Sequence, residues 1–356
     1  MEKKFRRIGV LASGGDAPGM NPVIRAVTRS AIEHGVEVVG IKGGYYGLIH
    51  DEVVHLGARD VSNIINLGGT FLYSARCLEF KEEWGMHKAI ETCEKYQIDG
   101  IVACGGDGTF RGATDLSNRG IPTIGIPGTI DNDITATDYS IGFDTAMNTT
   151  VQMIDRLRDT CESHARCNVV EVMGRDAGGI AINTAIACGA VGCMINELPF
   201  DEAALMEKMK KLRAEGKREF IVVVVEGNPY YSEAFAKRIE EATGIETKFA
   251  RLAHVVRGGS PTLRDRVTAA RMATKAVEEL LNGKSNLVVC EVAGEIVTQD
   301  INFAQTTDRL YKKKITEDSE ELLKYSPDEI AAIKARCEKK HQSFVDLYKV
   351  MDEISW

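Results

Sequence analysis

The 356 residues carry 44 lysines and arginines against 52 aspartates and glutamates, for a formal charge of −8, with 44% hydrophobic and 27% charged side chains. That composition argues against a disordered or membrane class, and an acidic chain lacks the basic face that nucleic acid requires. The length exceeds that at which one core stops growing, so two lobes of roughly 100–200 residues are expected, with a cleft between them.

The apolar run Ile221 to Val225 is far too short to cross a bilayer, for which about 20 residues are needed, and reads as a buried strand. The start Met1-Glu-Lys-Lys-Phe-Arg-Arg is basic but leads into a glycine-rich loop, with no continuous hydrophobic region of a signal peptide. A cytoplasmic protein is expected. Nine cysteines without a C-x-x-C pair argue against a disulfide framework or a zinc site, and Cys104 and Cys188 read as small core residues.

In chain order, β-branched runs at Arg7 to Leu11, Val36 to Ile41, Ile98 to Ala103 and Thr123 to Ile126 alternate with segments of helical period. The pattern continues with strands at Asn168 to Met173, Phe220 to Val225 and Leu287 to Val292. Helices are predicted around 143–163, 178–189, 201–215, 232–243 and 262–282. Such βα repetition implies mainly parallel sheets covered by helices. Asp201-Glu202 and Ser232-Glu233 mark helix starts, and Gly216 and Gly244 mark stops. After residue 315 the charged tail predicts two helices. Its Ser326-Pro327-Asp328-Glu329 resembles an N-cap, and Ile330, Ile333, Phe344, Leu347, Val350 and Met351 recur at helical spacing, for packing or for an oligomer contact.

Three strand ends carry glycine-rich loops. Ser13-Gly14-Gly15-Asp16-Ala17-Pro18-Gly19 precedes a helix beginning near Met20 or Asn21, so that bare amides and a helix N-terminus could receive an anion. It fits neither G-x-G-x-x-G nor the Walker pattern, and a plain tight turn is the alternative. In Gly105-Gly106-Asp107-Gly108-Thr109 an aspartate among such amides is costly unless a cation shares the site, which suits Mg²⁺; a helix cap is the alternative. Pro127-Gly128-Thr129-Ile130-Asp131-Asn132-Asp133 sets two carboxylates two residues apart at the same sheet edge. One could accept a hydroxyl proton, the other help hold metal, and Thr129 donate to phosphoryl oxygens, unless the segment is an Asx-turn network.

Together these loops resemble those of the bacterial ATP-dependent 6-phosphofructokinases. The likeness extends through Gly68-Gly-Thr-Phe-Leu-Tyr-Ser-Ala-Arg76, Asp155-Arg-Leu-Arg-Asp-Thr, Val170-Glu-Val-Met-Gly-Arg175 and His254-Val-Val-Arg-Gly-Gly-Ser-Pro261, covering roughly residues 5 to 310. The resemblance implies two Rossmann-like α/β lobes, with residues 1–142 and 257–310 taking ATP and Mg²⁺. Residues 143–256 and 311–356, the latter a helical tail, would take fructose 6-phosphate. Gly15, Arg76, Cys77, Gly106, Asp107, Gly108 and Thr109 would line the ATP site, Asp107 serving the metal. Asp131 would be the base, with Thr129, Asp133, Arg175, Arg76 and Gly15 also at the reacting centre. Thr129, Ile130, Asp131, Met173, Gly174, Arg175, Glu226, His254, Val255, Val256 and Arg257 would bind the sugar phosphate, joined by Arg166 and Lys248 of a neighbouring subunit in a homotetramer.

Where the family usually has arginine this chain has Lys248, a point charge that cannot form a planar fork. Pyrophosphate-using relatives carry aspartate and lysine where this chain has Gly108 and Gly128, so ATP is the expected donor. The effector pattern is met by Arg25, Arg29, Arg158, Glu197 and Lys217, whereas Ala58, beside Arg59, and Glu215 depart from it, which implies an altered allosteric response. The alternatives are a pyrophosphate-dependent enzyme, a nicotinamide-nucleotide or lipid kinase, which explains only the Gly-Gly-Asp-Gly loop, and a non-catalytic nucleotide-binding subunit on the same fold.

Overall fold

A computed structural model describes residues 5–228 and 231–356; the basic residues 1–4 lie outside them. The chain begins β1 (Arg7–Ala12), α1 (Met20–Glu33), β2 (Glu37–Ile41), α2 (Tyr45–Ile49), β3 (Val53–Leu56), α3 (Glu83–Lys95), β4 (Gly100–Gly105), α4 (Asp107–Asn118) and β5 (Thr123–Pro127). It continues with α5 (Phe143–His164), β6 (Cys167–Val172), α6 (Gly179–Ala187), β7 (Gly192–Met194), α7 (Glu202–Ala214), β8 (Phe220–Val225), α8 (Ser232–Thr243) and β9 (Thr247–Arg251). The last elements are α9 (Leu263–Leu281), β10 (Leu287–Val292), β11 (Glu295–Asp300), α10 (Ile301–Tyr311) and α11 (Pro327–Ile354).

The chain divides into two compact units. The first comprises Met1–Ile130, Ile134–Thr145 and Arg257–Cys337, the second Asp131–Asp133, Ala146–Val256 and Glu338–Trp356. The sequence reading placed 311–356 together, but residues 311–337 group with the first unit. Leu322 and Ile333 are buried there, which gives that segment an apolar reason to do so.

In the first unit a seven-stranded sheet has the order β11-β10-β5-β4-β1-β2-β3. The contiguous run from β10 to β2 is parallel, with antiparallel strands at both edges. The chain leaves β1 toward β2 and returns to β4 on the other side, a topological switch whose carboxyl-end crevice receives ligands in open sheets. Ile8, Val10, Leu11, Ile101 and Val102 are fully buried, the continuous apolar pattern expected of strands covered on both faces. In the second unit the sheet is β7-β8-β6-β9 and wholly parallel, and Val222 to Val225 have no exposed surface.

Helix ends follow the chemistry read from the sequence. Asp201 accepts the amide of Ala204 at 2.9 Å, and Gly216 and Gly244 adopt φ of 100° and 70° beyond α7 and α8, the left-handed conformation glycine tolerates best. The tail differs from expectation: it is one 28-residue helix preceded by a single 3-10 turn at Leu322–Lys324. Ser326 and Glu329 form a reciprocal capping box, with Ser326 N to Glu329 Oε2 at 2.8 Å and Glu329 N to Ser326 Oγ at 3.3 Å. No helix among the described residues is long and apolar enough to cross a membrane.

One buried carboxylate fixes the return from β5 to α5. Asp265, at 0% exposure, accepts the Tyr139 hydroxyl at 2.5 Å and the Gly142 amide at 2.7 Å on one oxygen, and the Thr145 amide at 2.9 Å and hydroxyl at 2.5 Å on the other. Burial pushes its carboxyl above the ordinary aspartate value, against the pull of the donors. The Asp265→Ala variant leaves these donors unsatisfied in a dry interior, so a loss of about 3 kcal/mol is expected. A shift in the urea midpoint at unchanged m-value measures it.

Candidate active site

The loops after β1 and β4 are locked together. Ser13 donates its amide to Cys104 O at 3.0 Å, Gly128 N reaches Gly105 O at 3.0 Å, and the Thr109 hydroxyl donates to Ser13 O at 3.1 Å. Tyr45 donates its hydroxyl to Thr109 O at 2.6 Å. Thr109, predicted to line the nucleotide site, is 3% exposed, and its hydroxyl is committed to joining the two loops. A Cβ on Gly105 would stand 2.2 Å from that hydroxyl and 2.4 Å from Ser13 O, whereas Gly106 and Gly108 have open space around them. Gly105 is thus required by packing, and the next two glycines leave the α4 N-terminus accessible, as an anion would need.

Asp107 stands at the first position of α4. Its carboxylate pairs with Arg111 one turn on, and Gln305 of α10 approaches its Oδ1 at 3.4 Å and its carbonyl at 3.3 Å. A cavity of about 1000 Å³ opens beside it, lined in part by Arg111, Gln305, Thr306, Lys314 and Tyr325. Among the described residues no cluster of three or more His, Cys, Asp or Glu could hold a metal. A lone partly exposed carboxylate still fits Mg²⁺, which keeps waters and is held by one or two carboxylates plus substrate phosphates.

Arg257, expected with the sugar-binding residues, belongs to the first unit. Its guanidinium lies 3.7 Å from Asp16 Oδ1 and within 3.3 Å of where a Gly15 side chain would begin. Arg76 is exposed and Cys77 half-buried on the chain between β3 and α3; burial raises the Cys77 thiol above its ordinary value. Thr129 accepts the Ser140 hydroxyl on its carbonyl at 2.7 Å. Ile130 is buried, while Asp131, Asn132 and Asp133 are half-buried, with Asn132 at φ 48°.

In the second unit the carboxyl ends of β6 and β8 bring together Met173, Gly174, Arg175 and Glu226. The Arg175 amide donates to Glu226 Oε1 at 3.1 Å, and Arg175 is itself left-handed at φ 57°. Gly174, at φ 148°, leaves no room for a side chain, since a Cβ would lie 2.2 Å from Ala177 O. Beyond β9, His254 and Val255 are exposed and Val256 is buried, so Val256 packs as core. Arg166 and Lys248 converge on Glu246, at 2.7 and 2.9 Å; the two cations, Arg166 first, hold that carboxyl below its ordinary value.

The effector candidates fall into two groups. Arg25 and Arg29 are one turn apart on α1, where burial and then the like charge of Arg29 lower the Arg25 value, and Arg29 reaches Ala58 O at 3.4 Å. In the second unit Arg158 and Lys217 share Glu219, at 2.9 and 3.2 Å. Glu197 accepts the Gly178 amide at 2.9 Å, and burial raises its carboxyl. Sequence reasoning missed both acidic hubs, Glu219 and Glu246; an acid two residues from Lys217 and from Lys248 was the available signal, while Arg158 and Arg166 lie 61 and 80 residues from theirs. All nine cysteines are free; Cys104 is fully buried and its thiol is pushed up to about 12 by burial.

A doubly wound sheet with glycine loops at its switch point in one unit, and a parallel sheet with cations at its strand ends in the other, are the architecture of a phosphoryl-transfer enzyme of the Rossmann-like class. The profile of the phosphofructokinase family matches residues 7–280, and the chain belongs to that family. It is 49% identical over 313 residues to the ATP-dependent 6-phosphofructokinase 1 of Clostridium perfringens, covering 88% of this chain and 98% of that protein. A Clostridium botulinum ATP-dependent 6-phosphofructokinase is likewise 49% identical over 311 residues, covering 87% and 97%. Among solved structures, the Pichia pastoris phosphofructokinase in the T-state superimposes with a TM-score of 0.85 at 32% identity. It covers all of this chain, which spans 40% of the Pichia one.

The Gly105→Ala variant pushes the β1 and β4 loops apart. ATP titrated calorimetrically against it should bind at least about tenfold more weakly than to the parent, the order expected when backbone approach to a phosphate is lost.

Proposed function

We propose that the chain transfers the γ-phosphoryl of ATP to the 1-hydroxyl of fructose 6-phosphate, giving fructose 1,6-bisphosphate and ADP, the committed step of glycolysis. The observation that carries this reading is the 49% identity to a clostridial ATP-dependent 6-phosphofructokinase over 98% of that protein, together with the loops after β1, β4 and β5 gathered on one sheet edge.

The β1 loop and the α4 N-terminus, through Gly15, Gly106 and Gly108, receive the phosphates with Arg76 and Cys77 nearby. Asp107 would hold Mg²⁺, which when bound would neutralise charge on the phosphate oxygens, and Asp133 would assist near the metal. Asp131 accepts the proton of the 1-hydroxyl, and Thr129 and Arg175 donate to the oxygens in transfer. Met173, Gly174, Glu226, His254 and Arg257 orient the sugar phosphate. Arg166 and Lys248 of a neighbouring subunit grip its 6-phosphate, which makes the active form an oligomer, a homotetramer in the cytoplasm. Arg25, Arg29, Arg158, Glu197 and Lys217 match the family's effector pocket between subunits, with a response altered by Ala58 and Glu215.

Donor choice has a packing argument at Gly128. A Cβ there would stand 2.6 Å from Cys104 Sγ, so the lysine of pyrophosphate users does not fit this backbone without movement.

In a coupled assay with Mg²⁺ and fructose 6-phosphate, product should form with ATP and not with pyrophosphate; product with pyrophosphate would overturn the donor assignment. Asp131→Asn should lower kcat by about 10²–10⁴-fold while ATP still binds. Lys248→Arg, which restores a planar fork, should lower the KM for fructose 6-phosphate several-fold; an unchanged KM contradicts the assigned contact.

A further inference from the structure

The apolar stripe of α11 has a gap. Ile333 is fully buried and the next buried apolar residues on the stripe are Phe344 and Met351, yet the intervening positions on that face include, beside the half-buried Cys337, two cations three and seven residues beyond Ile333, Arg336 and Lys340. Cations on a core-facing stripe need partners, because a buried charge is tolerated only when paired and hydrogen-bonded. Both find partners in the segment that joins β5 to α5, and Lys340 also acts on the Glu197 carboxylate.

Arg336, with 15% of its side chain exposed, donates from Nε to Thr135 O at 2.7 Å and pairs through Nη2 with Asp138 Oδ1 at 2.6 Å. Lys340 Nζ donates to Asn132 O at 2.9 Å. Asn132 is the residue between Asp131 and Asp133, and its φ of 48° is in the left-handed region, which asparagine adopts more readily than other side-chain-bearing residues. The remainder of the segment is fixed from elsewhere. Asp308 Oδ1 accepts the Thr135 amide at 3.1 Å and hydroxyl at 2.8 Å, the Asp138 amide donates to Glu291 O at 2.7 Å, and the Ile141 amide donates to Pro127 O at 2.9 Å. The turn at Asp131–Asp133 receives a charged tie from α11 through Lys340.

We propose that Arg336 and Lys340 are positioning residues for the phosphoryl-transfer reaction, holding the Asp131–Thr135 backbone so that the Asp131 carboxylate points to the substrate hydroxyl. α11 lies outside the residues matched by the family profile. The inference rests on Asp131 as the base. Misplacing a reacting group by about 1 Å costs on the order of 10²-fold in rate, so loss of the tie acts on kcat and leaves nucleotide affinity in place.

The test uses the full chain carrying Arg336→Met, Lys340→Met, both together, and the conservative Arg336→Lys and Lys340→Arg. Steady-state kinetics with ATP and fructose 6-phosphate, ATP affinity by calorimetry, thermal midpoints, and amide hydrogen exchange over residues 129–138 are measured for each. The double variant should lose about 10–100-fold in kcat with ATP affinity within about twofold and faster exchange at Asn132 to Thr135. Lys340→Arg, which keeps a donor and the charge, should recover most of the rate lost in Lys340→Met. Unchanged kcat in the double variant, or a rate loss that the conservative variants share equally and that follows the thermal midpoint, overturns the proposal. If the double variant does not fold, the same comparison of Lys340→Met with Lys340→Arg decides. Asp131→Asn run in parallel separates the two ideas: full activity there sinks the base assignment, whereas an inactive Asp131→Asn beside a fully active double variant sinks only the role of α11.

Discussion

The first unit depends on one carboxylate with no access to water. Asp265 gathers a phenol hydroxyl, a threonine hydroxyl and two backbone amides from Tyr139, Gly142 and Thr145, and it lies in the first turn of α9, whose N-cap Thr262 it also engages through its amide at 3.3 Å. A carboxylate buried this completely is stable only because every lone-pair direction is answered. Because its donors come from the end of the segment between β5 and α5 and from the first turn of α5, it sets where that segment re-enters the core. Thr145 extends the network by accepting the Thr262 amide on its hydroxyl at 3.0 Å.

Much of this was legible in the sequence. The strands seen as buried apolar runs, such as Phe220–Val225 and Leu287–Val292, occur with those bounds, because a strand covered on both faces announces itself by unbroken β-branched residues. The strands that were missed, β3, β7, β9 and β11, are short or lie at sheet edges, where half-exposed sequence such as Glu295–Asp300 carries no such run. The tail was read as two helices from the charged, helix-forming sequence after residue 315, and a gap in its apolar stripe between Ile333 and Phe344 does not break it. The structure fills that interruption with Arg336 and Lys340 and keeps the helix whole.

The candidate site was visible as loops and invisible as a network. Glycines at strand ends can be read one at a time, since each answers to local backbone geometry. The partners of charged side chains cannot, because Glu246 and Arg166 are 80 residues apart and Asp138 and Arg336 lie on elements far apart in the chain. Thr109 shows the same limit: its place in a phosphate loop suggests a hydroxyl offered to ligand, and only the fold reveals that Ser13 O receives it.

Glu246 gives the proposed phosphate grip a resident competitor. Arg166 and Lys248 already share its carboxylate, so a phosphate that recruits either cation must exchange one anion for another rather than fill a vacant cradle. Such an exchange discriminates by charge: a dianionic phosphate can out-bid a single carboxylate for two cations, while a singly charged metabolite gains little. The same carboxylate keeps the pair of cations from repelling one another between turnovers, and in solution it makes the grip a threshold rather than a simple attraction, sensitive to ionic strength because all three groups face water.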